Sequence, residues 1–222
     1  MGSGRPGRGL RLAGWVLAPL GVTLFLGSLL TFRANYSGLT VASEGMSPTY
    51  GVGDRLFYEK VDGSQVRRGD VVLYRMPARY RDLPVLQRVV GVGGDRLVGR
   101  IDGGPITVNG KPLAEPYVRD ADPVGGMPFE VTVPEDRLFM LGDNRGNSRD
   151  SRSFDDEAGG GAVPLTAVQG RIVDDVNVPV ALGAAMVLGA VTGLTGAGCG
   201  LAGWLAGRRR RAPYGPPPVY TP

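Results

Sequence analysis

Two long apolar runs bracket a middle segment of quite different texture. Residues 12–32, "LAGWVLAPLGVTLFLGSLLTF", carry no charge and are long enough to cross the roughly 30 Å hydrocarbon core of a bilayer. A cleaved signal peptide would have a shorter apolar core followed by a small-x-small site, so the length favours an uncleaved anchor. A second run covers 178–207, with Gly189/Gly193, Gly196/Gly200 and Gly203/Gly207 at four-residue spacing. Such spacing lets helices approach closely, and packing against the first span accounts for it. Between the runs, short apolar stretches alternate with Gly, Asp, Asn and Pro. The stretches 55–61, 69–76, 85–92, 105–113, 129–134 and 137–143 read as strands. No long helical period interrupts them, so the pattern predicts a mostly-β domain, as a barrel or folded-over sheets, on two membrane helices.

Charge refines this picture. The formal charge of +4 is concentrated at Arg5, Arg8 and Arg11 before the first run and at Arg208–Arg211 after the second. Basic residues in those places orient membrane spans; nucleic-acid binding is the weaker reading. They predict a two-span membrane protein with both termini cytoplasmic and the β-domain outside the cytoplasm. The expected segments are a basic N-terminus (1–11), a span (12–32), the domain (33–177), a span (178–207) and a basic, then Pro-rich, cytoplasmic tail (208–222). Residues 212–222 read as an extended tail.

Composition excludes several chemistries. The chain has no histidine, so neither a Ser-His-Asp triad nor an H-E-x-x-H zinc site can form. Its single cysteine, Cys199, allows no internal disulfide and no Cys₂ or Cys₄ metal site. No metal or cofactor is expected. A lysine base would have to be Lys60 or Lys111, the only two lysines. Lys111 follows a "VNG" turn and reads as exposed.

Ordered boxes then run through the middle segment: "SEGMSPTY" (43–50), "GVGDRLFYEKV" (51–61), "RRGDVVLYRMP" (67–77), "LQRVVGVGGDRL" (86–97), "VNGKPLAEPYV" (108–118), "VPEDRLFMLGDNR" (133–145) and "LGDNRGNSRDSR" (141–152). From about Ser43 to Val173 the chain resembles the type I signal peptidases, membrane-bound serine endopeptidases that release exported proteins from their signal peptides. The resemblance implies a β-rich catalytic domain lying against the membrane. It also implies a Ser-Lys dyad, in which a buried lysine of lowered pKa stays neutral and takes the hydroxyl proton. The expected partners are the bilayer, signal-peptide C-regions and an active signal peptidase paralogue, with no nucleic acid.

Carried over residue by residue, the resemblance exposes two substitutions. Met46, Pro48 and Thr49 fix the register of the first box, and the nucleophile position is Gly45. Arg88, Val89, Gly91, Gly94 and Asp95 fix the other register, and the base position is Gln87. Lys60 matches a lysine of the second box that is not catalytic. The supporting residues are retained. Ser43 matches the serine of the oxyanion hole, Arg88 and Asp143 a buried ion pair, Asp150 and Arg152 another. Ser148 matches the serine that orients the lysine. Such residues also hold the fold together.

A glycine has no side chain, and a glutamine amide is no base near neutral pH. If 43–47 is extended, Ser43, Gly45 and Ser47 share a face about 7 Å apart, and Glu44 points the other way. A displaced hydroxyl would then miss the attack geometry. The leading expectation is a catalytically silent homologue that keeps its peptide groove. The alternatives are a divergent peptidase using Ser43 or Ser47, and a tethered scaffold without peptide binding.

Overall fold

The computed structural model describes residues 8–81, 83–119, 122–154 and 159–208. The Pro-rich tail and the arginines at 209–211 lie outside the described residues, as does Arg5. The chain divides into two compact units: the N- and C-terminal helices form one, and residues 34–176 the other.

In the helical unit, α1 spans Arg8–Asn35 and α3 spans Asn177–Arg208. Both are long and apolar enough to cross a membrane. Their outward faces expose Leu12, Trp15, Leu20 and Leu30 on α1, and Leu188, Val191, Leu194 and Leu201 on α3. Water would penalise such a surface, whereas lipid matches it. Glycines bring the two backbones together. A Cβ on Gly21 would lie 2.2 Å from the Gly193 nitrogen, and one on Gly196 would lie 2.3 Å from the Ala18 nitrogen. Near the other end, Arg11 Nε donates to the Gly203 carbonyl at 2.9 Å. The glycine spacing thus serves close packing of α1 on α3.

The other unit is built from β1 (Tyr36–Thr40), β2 (Arg55–Glu59), β3 (Val71–Arg75), β4 (Pro84–Val92), β5 (Arg96–Gly99), β6 (Thr107–Val108), β7 (Lys111–Pro112), β8 (Phe129–Thr132), β9 (Arg137–Leu141), β10 (Val163–Pro164) and β11 (Val168–Ile172). One four-residue helix, α2 (Pro77–Tyr80), follows β3 with proline at its start. A seven-stranded sheet has the order β1-β2-β11-β3-β4-β9-β10, and a four-stranded sheet the order β7-β6-β5-β8. All the pairings are antiparallel. The fold is therefore mostly β with two long apolar helices.

The expected strand over 105–113 is in fact two short strands. Asn109 and Gly110 both take positive φ, 52° and 78°, and turn the chain back on itself between β6 and β7. Asn-Gly is the sequence best suited to such a two-residue hairpin. Three apolar clusters fill the core. Leu97, Ile106, Phe139 and Leu141 join in one, Val72, Tyr74, Val89 and Met140 in the next, and Met46, Val71 and Ile172 in the third. The last two hold the ends of β3 and β4 and the turn at Met46, from which the candidate site is built.

Candidate functional site

Ser43–Ser47 is not extended. Glu44–Met46 forms a single 3₁₀ turn, closed by the Ser47 N–H donating to the Glu44 carbonyl at 3.0 Å. Met46 is 2% exposed and plugs the third apolar cluster, and this draws the backbone into a turn. Each residue of such a turn rotates by about 120°, so Ser47 does not share the face of Gly45. The expected alternation of Ser43, Gly45 and Ser47 on one face is corrected accordingly.

The turn is docked on the segment that follows β9. Asn144 N–H donates to the Gly45 carbonyl at 3.1 Å, and Asn144 Nδ2 donates to the Glu44 carbonyl at 3.1 Å. Thr49 Oγ1 donates to Asp143 Oδ2 at 2.5 Å. At the centre of this contact the two glycines behave differently. A Cβ on Gly45 would meet only the Asn147 carbonyl at 3.8 Å, Ser148 Oγ at 3.8 Å and Ser43 Oγ at 3.9 Å, all ordinary contacts. A Cβ on Gly142 would lie 2.2 Å from Ser148 Oγ and 2.4 Å from the Gly45 carbonyl. Gly45→Ala is therefore expected to leave stability within about 0.5 kcal/mol of the wild type. Gly142→Ala is expected to cost about 1–3 kcal/mol through overpacking. Denaturant unfolding of the two variants checks the contrast.

The structure thus brings Ser43, Gly45 and Ser148 together. Gln87 comes to the same segment one residue further on. It sits in β4, 3% exposed, and its Nε2 donates to the Arg149 carbonyl at 2.8 Å. Its Oε1 accepts from the Tyr74 hydroxyl at 2.6 Å. Lys60 and Lys111 are both exposed, the one just after β2 and the other on β7.

The charged residues form three buried pairs around this point. Arg88 grips Asp143 with two hydrogen bonds, Nε to Oδ1 at 2.8 Å and Nη2 to Oδ2 at 2.6 Å. Burial alone would weaken the Arg88 charge, but the hydrogen bonds and charge of Asp143 outweigh it and hold its pKa above the usual value. The Tyr117 ring lies under the guanidinium at 3.9 Å, and burial, followed by the Glu115 charge, pushes its hydroxyl pKa up. Arg152 binds Asp150 at 2.8 and 2.7 Å, while Asp150 also accepts the Gly142 N–H at 3.1 Å.

The third pair, Arg145 with Glu115, was not foreseen among the site residues. Arg145 is fully buried and donates to Glu115 at 2.5 and 3.1 Å, to the Gly142 carbonyl at 3.0 Å, and to the Pro123 carbonyl. Tyr74, Tyr80 and Thr49 were not foreseen either. Both tyrosines lie in or beside the "VVLYRMP" box, but nothing in their spacing marks their partners. Chemically, the assembly sets two hydroxyls, those of Ser43 and Ser148, about position 45. It offers neither a nucleophile at position 45 nor a base at position 87.

The chain thus combines a mostly-β domain with two helices long and apolar enough to cross a membrane, the class of a membrane-anchored β-protein. Comparison with known proteins makes the class specific. The family described as signal peptidase, peptidase S26, matches residues 12–174, and the chain belongs to that family. It is 35% identical over 162 residues to a signal peptidase I from Leptolyngbya laminosa, covering 69% of this chain and 73% of that one. A probable signal peptidase I from Mycobacterium leprae is 32% identical over 213 residues, covering 70% of this chain and 72% of its own. A crystal structure of a signal peptidase I from Enterococcus faecalis V583 shares 26% identity, covers 49% of this chain and 97% of its own, and aligns with a TM-score of 0.39.

Proposed function

We propose that the protein is a membrane-anchored, catalytically silent signal peptidase homologue that holds signal-peptide C-regions without cutting them. The observation that carries this reading is the pairing of two substitutions at one point. Gly45 puts no side chain where a Cβ would make ordinary contacts with Ser43 and Ser148, and Gln87 fills the base position with an amide. Losing the nucleophile of a serine protease costs about 10⁶-fold, and losing a second member of the machinery adds little. What remains, about 10³–10⁴ over water, comes from binding and the oxyanion hole. Ser43 retains the oxyanion-hole position. Arg88, Asp143, Asp150 and Arg152 keep the surrounding frame rigid.

A signal-peptide C-region in this reading binds beside the Gly45 turn in extended form, as an added strand, with its small side chains in shallow pockets. In this reading the spans run with both termini in the cytoplasm and the β-domain outside, following the arginines that flank the apolar runs. An active signal peptidase is the natural partner, since it would supply the cut this chain does not make. One observation favours a second reading, a divergent peptidase: Ser43 Oγ is 3.9 Å from the place where a nucleophile's Cβ would stand.

Binding distinguishes these from a bare scaffold. The full chain in lipid nanodiscs is titrated with a fluorescent peptide spanning an Ala-x-Ala site. Saturable binding, weakened when small residues of the peptide are replaced by bulky ones, is expected. An absence of binding would leave only the scaffold reading.

A further inference from the structure

An amide in place of an amine removes the base, but it leaves no hole. Both ends of the Gln87 head group are engaged, by the Tyr74 hydroxyl at 2.6 Å and the Arg149 carbonyl at 2.8 Å. The same carbonyl receives a second hydrogen bond, from the Tyr80 hydroxyl at 2.9 Å. The two hydroxyls are 3.2 Å apart, and their rings pack edge to face at 6.0 Å. Tyr80 packs in the same manner on Phe154 at 5.5 Å. Burial raises the pKa of both phenols, so they remain donors around neutral pH. Three hydrogen bonds thus tie β3, β4 and α2 to the backbone next to Ser148.

As arranged around Gln87, a donating Tyr74 hydroxyl and an accepting Arg149 carbonyl match a side chain that accepts at one atom and donates at the next. Glutamine does this, whereas a carboxylate only accepts and an aliphatic chain does neither. We infer that Gln87 is a positioning residue. With Tyr74 and Tyr80 it forms a neutral lock on the Arg149 carbonyl that keeps Ser148 beside Gly45 in a peptide-receiving geometry. The base position has changed task rather than fallen empty. Only the consequence for peptide binding rests on the silent-binder reading, and the lock itself does not.

Hydrogen exchange on the full chain in nanodiscs tests it, read over residues 140–152 alongside peptide affinity. Within that stretch, Met140 N–H donates to Ser151 Oγ and Gly142 N–H to Asp150, so release of the loop uncovers both. Gln87→Leu keeps the bulk and removes the polar atoms. It is expected to speed exchange there about ten-fold or more, and to weaken peptide binding by a similar factor. Gln87→Glu adds a readout that packing alone would not move. As a neutral acid it can donate to the Arg149 carbonyl and accept from Tyr74, and once ionised it can only accept.

Protection in Gln87→Glu should therefore match the wild type at low pH and be lost as pH rises. The titratable and charged groups around this position are Tyr74 on β3, Tyr80 and Arg79 on α2, and Asp150 on the loop, with the Arg149 guanidinium turned onto Phe154. The wild type contains all of them and serves as the control against which the Gln87→Glu profile is read. Wild-type protection in Gln87→Leu, or a Gln87→Glu profile that follows the wild type at every pH, overturns the lock. Should Gln87→Leu fail to fold, the reversible pH response of Gln87→Glu still decides. If the wild type binds no peptide, the silent-binder reading falls and the exchange data judge the lock independently.

Discussion

Gly45→Ser combined with Gln87→Lys is expected to cleave a reconstituted preprotein at a small-x-small site, at least about 10³-fold faster than the wild type. Each single change should stay near background, because a nucleophile without a base and a base without a nucleophile fail alike. The serine side is sterically simple: a Cβ at position 45 meets nothing closer than 3.8 Å. The lysine side is harder, because the lock offers its ammonium the Arg149 carbonyl and the Tyr74 oxygen. Those contacts favour the charged form, while burial favours the neutral one. A lysine must be neutral to accept the proton, so turnover should rise toward alkaline pH. Adding Tyr74→Phe removes one stabilising oxygen and should move that rise to lower pH. Gel quantification of mature product across pH measures both effects. A folded triple variant that stays at background would mean the groove no longer presents a peptide to position 45.

The second large effect concerns stability. Arg145→Ala strips a fully buried guanidinium from Glu115, itself 6% exposed at its side chain, and from the Gly142 and Pro123 carbonyls. Removing one partner of a buried, hydrogen-bonded ion pair costs about 3–5 kcal/mol, mostly for the charge left behind. For a domain of this size that corresponds to a fall of roughly 10 °C in the unfolding midpoint. Thermal unfolding of the purified chain in detergent measures it. Arg145 also donates to the carbonyl of Gly142, the glycine against which the Gly45 turn is seated. Local exchange around residues 44–46 should accelerate before global unfolding. An unchanged midpoint would show that the "GDNR" arginine is dispensable to the fold. The expected loss gives the box a structural role that does not depend on catalysis.

These residues show where a linear reading succeeds and where it stops. The apolar runs forecast α1 and α3 because the backbone in lipid has little alternative to a helix. Strands β2, β3, β4, β8 and β9 were legible because their Val, Leu, Phe and Tyr runs are bounded by turn residues. β1 was not, since it follows α1 without a turn signal, and neither was β11, whose "VQGRI" mixes polar residues with a glycine. The 3₁₀ turn at Glu44–Met46 escaped notice because burial of Met46, not local propensity, bends the chain. Gly45 and Gln87 stood out only because the surrounding boxes fix the register. The lock was invisible for a different reason. Its central acceptor is a backbone carbonyl 62 residues from Gln87, and no side-chain pattern records that.

The most direct test of the proposal that the chain holds peptides without cutting them is the fate of the peptide itself. The wild-type chain in nanodiscs is incubated to equilibrium with a preprotein carrying an Ala-x-Ala site, and the products are read by mass spectrometry beside Ser43→Ala and Ser47→Ala. The account predicts intact preprotein in all three samples, bound to the wild type and recovered at full length. Robust cleavage by the wild type, abolished by either serine change, would contradict it.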